Sequence, residues 1–134
     1  MQENTENPAE IVVSAVVFRD SAGKVLTVRK RGSMLFQLPG GKLEAGESPR
    51  TTAMREVAEE IGVAIPPSSL HPLGKFSAPA ANEPRCSVTA TVFCHSGSVE
   101  PHIDAEIEEM AWVNPSHPDR PLAPLLAQKV LPAI

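Results

Sequence analysis

The chain has 134 residues, of which 42% are hydrophobic and 21% charged, a composition that predicts one soluble globular domain. Its formal net charge of -4 argues against stable nucleic-acid binding, which requires a basic surface. No apolar run approaches the roughly 20 residues of a membrane span, so the sequence predicts no membrane association through a transmembrane helix.

The first part of the chain predicts a tail followed by strands. Residues 1–9 are polar and are expected to form a flexible tail before a single domain over residues 10–134. The Val-rich run at residues 11–19 predicts a central strand. Residues 24–30 predict a second strand, and the turn-forming residues between the two runs predict a β-hairpin. A short extended segment is expected at residues 34–38.

A helix is expected between Ser48 and Gly62. Ser48 is a favourable N-cap, Pro49 suits the first helical position, and Gly62 suits the left-handed position that ends a helix. With a period of 3.6 residues, one apolar face is expected to pack inward. Its members are Ala53, Met54, Val57, Ala58 and Ile61.

The second part of the chain predicts more strands and a terminal helix. Strands are expected at residues 70–77, 87–95 and 108–113, with a long loop at residues 78–84. Residues 122–131 predict a C-terminal helix. The pattern contains no internal repeat, and strands around one central and one terminal helix favour a layered α/β domain.

The two cysteines, Cys86 and Cys94, lie in one strand-like stretch. Eight positions along a strand separate two residues by roughly 26 Å, which is too far for a disulfide. We therefore expect buried free thiols, which are consistent with a reducing, cytoplasmic location.

Three acidic residues form a cluster on the predicted helix. Residues three and four apart share a helix face, so Glu56, Glu59 and Glu60 should project into one patch. Unpaired carboxylates this close would raise one another's pKa values, and a divalent cation would remove the conflict. Arg55 is the only cation between positions 51 and 75, which disfavours a solvated face balanced by helical ion pairs. The cluster therefore predicts a metal site.

The stretch at residues 41–63, GKLEAGESPRTTAMREVAEEIGV, contains this cluster. It resembles the signature of the Nudix hydrolases: Gly, five residues, Glu, seven residues, then Arg-Glu-aliphatic-x-Glu-Glu-x-Gly-aliphatic. The matching residues are Gly41, Glu47, Arg55, Glu56, Val57, Glu59, Glu60, Gly62 and Val63. The resemblance implies a Nudix-type α/β/α sandwich, with a mixed β-sheet, a catalytic loop-helix-loop motif and a C-terminal helix.

The resemblance also implies which residues hold the metal. By analogy with the family, Glu56, Glu59 and Glu60 are metal ligands, together with the backbone carbonyl of Gly41. The expected ion is Mg2+, with Mn2+ as a substitute. One of the carboxylates, Glu56 or Glu60, would also orient or deprotonate the attacking water, and the sequence leaves the choice between them open.

A further acid is usual in the family on the loop before the last strand. The acids available there are Asp104, Glu106, Glu108 and Glu109. Glu106 lies six residues before Trp112, which resembles the family's spacing to a late aromatic residue. Glu106 is therefore predicted to act as a metal ligand or a base.

Two further groups of residues have implied roles. Glu47 and Arg55 resemble the family's structural ion pair between the loop and the helix, and Gly62 completes the motif. Arg29 at the end of the second strand and Lys42 in the Gly-rich loop are candidates for contacts to substrate phosphates.

The resemblance implies a small-molecule nucleotide as substrate, a nucleoside diphosphate linked to another moiety. Pro79 stands 16 residues after the motif, a position associated with ADP-ribose hydrolysis. The short chain also resembles enzymes that hydrolyse modified nucleoside triphosphates, and both substrates are retained. The alternative is a catalytically silent nucleotide-binding sensor with the same fold. Homodimer formation is also left open.

Overall fold

The computed structural model describes residues 9–81, 83–104 and 106–134. Its strands and long helix are β1 (Ala9–Val17), β2 (Val25–Lys30), β3 (Gly40–Lys42), α1 (Pro49–Ile61), β4 (Leu70–Pro79), β5 (Cys86–His95) and β6 (Ile107–Val113). Three short helical segments complete the structure: a 3-10 turn at Pro67–Ser69, a π-helical turn at Leu125–Val130 and a 3-10 turn at Leu131–Ala133. Of the predicted tail, residues 1–8 lie outside the described residues, and Ala9 already belongs to β1.

Within the described residues, six strands form two sheets. The larger is mixed, with strand order β3-β1-β5-β4, in which β1 runs parallel to β5 and the other neighbours are antiparallel. The smaller sheet pairs β2 with β6 in antiparallel orientation. The predicted hairpin between the first two strands is wrong: in the described residues no ladder joins β1 to β2, and the isolated bridge Arg19↔Val25 pairs a residue beyond the end of β1 with the first residue of β2. Both edges of β1 are occupied by β3 and β5, so β2 cannot pair along it.

The ends of α1 form as the sequence predicts. The Ser48 hydroxyl accepts a hydrogen bond from the Thr51 N–H at 3.2 Å. At the other end Gly62 has φ 66°, and its N–H donates to the Ala58 carbonyl at 3.2 Å. The predicted inner face needs one correction: Ala58 is exposed, and Glu60 is buried instead. The inner face is rotated toward Glu60 because β3 lies against that side of the helix.

Apolar side chains cover both faces of the larger sheet. Alternate residues of β1 point to opposite faces, so Val16 joins a core with α1 and Val17 joins a core with the C-terminal segment. The first core also holds Val57 and Ile61 of α1, and the second holds Leu126. Helical layers therefore lie on either side of a mixed sheet, which confirms the expected α/β/α arrangement.

The C-terminal helical segment begins three residues later than predicted and ends at Ala133 instead of residue 131. The π-helical turn begins at Leu125 because the preceding residues pair with the extended segment around Phe36. The Phe36 N–H donates to the Pro121 carbonyl at 2.8 Å, and the Ala123 N–H donates to the Phe36 carbonyl at 2.8 Å. These bonds fix the start of the C-terminal segment beside the loop that precedes β3.

Two smaller expectations can also be compared with the structure. β4 continues to Pro79, so the loop that follows it begins two residues later than the loop predicted at residues 78–84. Cys86 and Cys94 are free and half-buried, at opposite ends of β5. Within the described ranges, no helix is long and apolar enough to cross a membrane.

Candidate active site

A cleft of about 470 Å³ opens on the larger sheet, next to the loop between β3 and α1. One end is lined by charged residues and by the glycines of β3. These are Lys30, Gly40, Gly41, Lys42, Glu56, Glu59, Glu60 and Glu106. The other end is mainly apolar, with residues from β1, the β4–β5 loop and the C-terminal segment. A volume of this size suits a nucleotide-sized ligand.

Glu60 lies deepest in the charged end. Its side chain is only 6% exposed, and its Oε1 accepts a hydrogen bond from the Gly40 N–H at 3.1 Å. Its Oε2 lies 3.7 Å from the Lys30 ammonium. Burial, with a smaller effect of the neighbouring Glu56, raises the pKa of Glu60 to about 7 against the opposing effects of Lys30 and the Gly40 N–H. The structure thus holds a carboxylate that requires a cationic partner.

Glu56 lies against the backbone of β3. A methyl group at Gly41 would overlap the Glu56 carboxylate, so glycine leaves the space that this side chain occupies. Arg55 Nη1 lies 2.9 Å from Glu56 Oε2 and 3.4 Å from Glu59 Oε1. The expectation that the acidic cluster lacks basic partners is therefore wrong, because Arg55 contacts two of the acids and Lys30 reaches the third from a neighbouring strand.

Arg55 also ties α1 to the preceding loop. Its Nε and Nη2 contact the two oxygens of Glu47 at 2.7 and 2.9 Å, and Nη2 donates to the Lys42 carbonyl at 3.1 Å. The Thr52 hydroxyl donates to Glu47 at 2.7 Å. The Arg55 guanidinium, followed by the Thr52 hydroxyl, lowers the pKa of Glu47 to about 2. In turn, the Glu47 carboxylate raises the pKa of Arg55. The structure thus contains the ion pair between the loop and the helix in bidentate form.

The structure brings Lys30 to the cleft and leaves Arg29 outside its lining. Arg29 Nη1 and Nη2 contact Glu108 and Glu109 at 2.9 and 3.2 Å on the neighbouring strand β6. Adjacent residues of a strand point to opposite sides, and a β-bulge between Arg29 and Lys30 changes the direction of the side chains further. The sequence does not separate Arg29 from Lys30, because both lie at the end of β2. The bulge between them has no signal in the local sequence.

Glu106 and Lys42, the other two predicted residues, both line the cleft. The loop that carries Glu106 is attached at two points. The Asp104 N–H donates to the Glu60 carbonyl at 3.0 Å, and the Arg31 N–H donates to the Glu106 carbonyl at 2.8 Å. Glu106 is therefore fixed between the C-terminal end of α1 and the end of β2, on an exposed part of the cleft wall.

The charged end of the cleft fits a divalent cation by its donor chemistry. The predicted ligands Gly41, Glu56, Glu59 and Glu60 all line this end. Carboxylate and carbonyl oxygens are the hard donors that Mg2+ and Mn2+ prefer. Across the described ranges, no three acidic, imidazole or thiol side chains are gathered in metal-binding geometry. The cations Arg55 and Lys30 engage the carboxylates in the structure instead.

The cleft is also lined by Gln37, an uncharged side chain with an amide group. Gln37 is half-buried and lines the cleft, and its backbone N–H and carbonyl both bond to Val28 at 2.8 Å. In the part of the chain that the structure describes, its side-chain amide has no hydrogen-bond partner. No aromatic ring lines the described part of the cleft. Its apolar walls are Ile11, Val13, Leu38, Pro79, Ala80, Val88, Leu125 and Leu126.

Comparison with known proteins agrees with this geometry. The NUDIX domain family matches residues 9–134. The chain belongs to the Nudix family. Nudix proteins are hydrolases that act on pyrophosphate bonds, and they generally use a divalent metal. The motif residues of this protein lie in β3, in the loop before α1, in α1 itself and directly after it, next to the cleft.

Two curated Nudix relatives are informative. A MutT-like protein of Streptomyces ambofaciens is 33% identical over 135 residues, which cover 99% of this chain and 82% of the relative. An 8-oxo-dGTP diphosphatase of Haemophilus influenzae is 36% identical over 73 residues, which cover 52% of this chain and 54% of the relative. The chain therefore spans most of the first relative but only about half of the second.

A solved structure supports the fold independently. The MutT NUDIX hydrolase of Burkholderia pseudomallei matches with a TM-score of 0.74 over 90% of this chain and 98% of its own, at 21% identity. At this identity the similarity establishes the Nudix fold, with its mixed sheet and few helices.

Proposed function

We propose that this protein is a Mg2+-dependent hydrolase that cleaves the pyrophosphate linkage of a nucleoside diphosphate derivative by attack of water on phosphorus. The observation that carries the proposal is the charged end of the cleft, where three motif carboxylates lie beside two lysines. Hydrolysis of a diphosphate requires neutralisation of negative charge while water attacks, and a paired set of acids and cations suits that task.

The metal would be held by the motif residues. These are Glu56, Glu59, Glu60 and the backbone carbonyl of Gly41, with Mn2+ able to replace Mg2+. A bound ion would neutralise charge on the diphosphate and ease deprotonation of the attacking water. Arg55 supports this arrangement from outside, since it holds Glu56 and Glu59 while it fastens α1 to the loop through Glu47.

The protein's own side chains supply the remaining steps. The ammonium groups of Lys30 and Lys42, which both line the cleft, would contact the substrate phosphates. The proton of the attacking water would pass to a carboxylate that lines the cleft, namely Glu56, Glu60 or Glu106.

The apolar end of the cleft would receive the nucleoside. Its aliphatic walls exclude water, and the side-chain amide of Gln37 can donate and accept hydrogen bonds with a base edge. The relative that is named as an 8-oxo-dGTP diphosphatase supports a modified nucleoside triphosphate. Pro79, the residue associated with ADP-ribose hydrolysis, lines the same cleft and supports ADP-ribose. A cytoplasmic location and a homodimeric state remain predictions.

A substrate panel tests this proposal. Purified protein is incubated with Mg2+ and ADP-ribose, other sugar nucleotides, ordinary nucleoside triphosphates or 8-oxo-dGTP, and products are identified by chromatography. We expect a nucleoside monophosphate from at least one compound. Glu60→Gln should lower kcat on that compound by about 100-fold or more, and the amide keeps the shape of the side chain.

Two outcomes would contradict the proposal in different ways. Full turnover by Glu60→Gln would show that the assigned residues do not form the active site. If the wild-type protein released no product while still binding one of the nucleotides, the sensor alternative would replace the enzyme.

A further inference from the structure

We propose that Lys30 exchanges its partner Glu60 for a substrate phosphate when a divalent cation binds at the charged end of the cleft. This inference rests on the proposed function, because it requires that a divalent cation and a diphosphate use the charged end of the cleft. Its consequence is that cation binding releases a phosphate-binding group. Lys30 would therefore couple the two binding events.

The first observation is the cost of leaving Glu60 without a cation. The side chain is 6% exposed, and a buried carboxylate requires a compensating charge. The Lys30 ammonium stands 3.7 Å from Glu60 Oε2 and supplies that charge without a metal. A divalent cation at the same carboxylate would repel the ammonium and replace it.

The second observation is that the Lys30 backbone is fixed while its ammonium can reach the cleft. Lys30 pairs with Ile107 of β6, its carbonyl accepts from the Ser33 N–H at 3.0 Å, and the bulge precedes it. Its side chain is 35% exposed and lines the cleft. Lysine carries a mobile ammonium with three donors on a flexible stem, so it can change partner without movement of the strand.

The third observation is that Lys42, unlike Lys30, does not contact Glu60 in the structure. Lys42 also lines the cleft, but it is exposed, and no carboxylate contact to its ammonium is found among the described residues. Both lysines should bind phosphate, but only Lys30 should compete with a metal ion. This contrast makes Lys42 a matched control.

The experiment measures binding rather than turnover. Isothermal titration gives the Kd of Mg2+ alone, and the Kd of α,β-methylene ADP with and without Mg2+, for the wild-type protein, Lys30→Met and Lys42→Met. We expect Lys30→Met to bind Mg2+ alone at least about threefold more tightly than wild type, because the competing charge is gone. Lys42→Met should change the Mg2+ affinity by a smaller factor.

The binding of the analogue provides the second readout. Lys30→Met should weaken it by a clearly larger factor with Mg2+ than without Mg2+, since Lys30 is held by Glu60 until the ion binds. Lys42→Met should weaken it by a similar factor in both conditions. Lys30→Arg keeps the charge and should retain near wild-type Mg2+ affinity, which provides a second variant if Lys30→Met folds poorly.

Two results would overturn the exchange. One is an unchanged or weaker Mg2+ affinity in Lys30→Met when Lys30→Arg is also unchanged, and the other is an equal loss of analogue affinity with and without Mg2+. Either result, with normal wild-type hydrolysis, would leave the proposed function intact. If the wild-type protein bound no Mg2+ at all, the proposed function and the exchange would both fail.

Discussion

At the residue scale, the cleft is organised by charge compensation. Glu60 is buried beside the Gly40 N–H and the Lys30 ammonium, while Arg55 contacts Glu56 and Glu59. Both cations reduce the repulsion between neighbouring carboxylates. They therefore explain how three acids are tolerated close together on one helix.

Gln37 is the residue from which we expect selectivity for the nucleoside. Gln37→Ala should raise KM for the best nucleotide substrate by up to about tenfold, since it removes a hydrogen-bonding group from an apolar surface. The value of kcat should change little, because Gln37 lines the cleft without being one of the residues assigned to the metal or to the phosphates. Steady-state kinetics check this expectation. Gln128→Ala is the matched control because Gln128 is exposed on the C-terminal segment, and equal KM values for the two variants would contradict the role of Gln37.

The residues that the sequence could and could not identify differ in how they depend on long-range structure. Glu56, Glu59 and Glu60 share a helix face through local periodicity, and the structure brings all three to the cleft. The contribution of Lys30 depends on a bulge and on the distance between β2 and α1, neither of which has a local signal. For the same reason Gln37 could not be found from the sequence, since its position follows from backbone pairing with Val28.

At the element scale, the loop before α1 and the helix itself form one unit. Glu47 receives hydrogen bonds from the Glu44 N–H, the Thr52 hydroxyl and the Arg55 guanidinium. The C-terminal end of α1 is tied in the same way, since the Asp104 N–H donates to the Glu60 carbonyl. Both ends of the acid-bearing helix are therefore fixed to loops that line the cleft.

The Glu47 ion pair predicts a specific acid sensitivity. The pKa of Glu47 is lowered from 4.5 to about 2 in the folded protein. Its contribution to the free energy of unfolding should be complete above pH 4.5 and should be lost as the pH falls to about 2. The difference in stability between wild type and Glu47→Gln should shrink over that window in urea titrations at several pH values.

A control variant, and the pH range in which Glu60 titrates, separate the effect of Glu47 from that of other acids. Glu100→Gln removes an exposed acid on a loop and should give a nearly constant difference over the same window. Glu60 has its pKa raised to about 7, so its effect has the opposite sign and lies between pH 4.5 and 7, outside the window. A wild-type advantage over Glu47→Gln that stayed constant from pH 5 to pH 2 would contradict the assignment.

The elements themselves were predicted to different degrees. The helix α1 follows from local signals at Ser48, Pro49 and Gly62, and the structure reproduces its ends. The pairing of β1 and β2 was mispredicted because a turn sequence cannot show that both edges of β1 are taken by strands from elsewhere in the chain. The late start of the C-terminal segment has the same cause, namely its pairing with Phe36.

At the scale of the whole molecule, the two apolar faces of the mixed sheet have different roles. The face toward α1 supports the helix that presents the acids, and the opposite face is covered by the C-terminal segment, which also forms the apolar wall of the cleft. If the proposed function is correct, bond cleavage and nucleoside recognition are supported by different layers of the fold.

The measurement that tests the account most directly is the fate of an oxygen label. The wild-type protein, treated with EDTA, is incubated in 18O-enriched water with the best substrate of the panel, without and with added Mg2+, and products are analysed by mass spectrometry. Attack of water on phosphorus predicts that one product phosphate gains 18O, that the reaction is at background without the ion, and that Mg2+ restores it. Turnover that persists in EDTA, or products whose phosphates carry no label, would contradict the account.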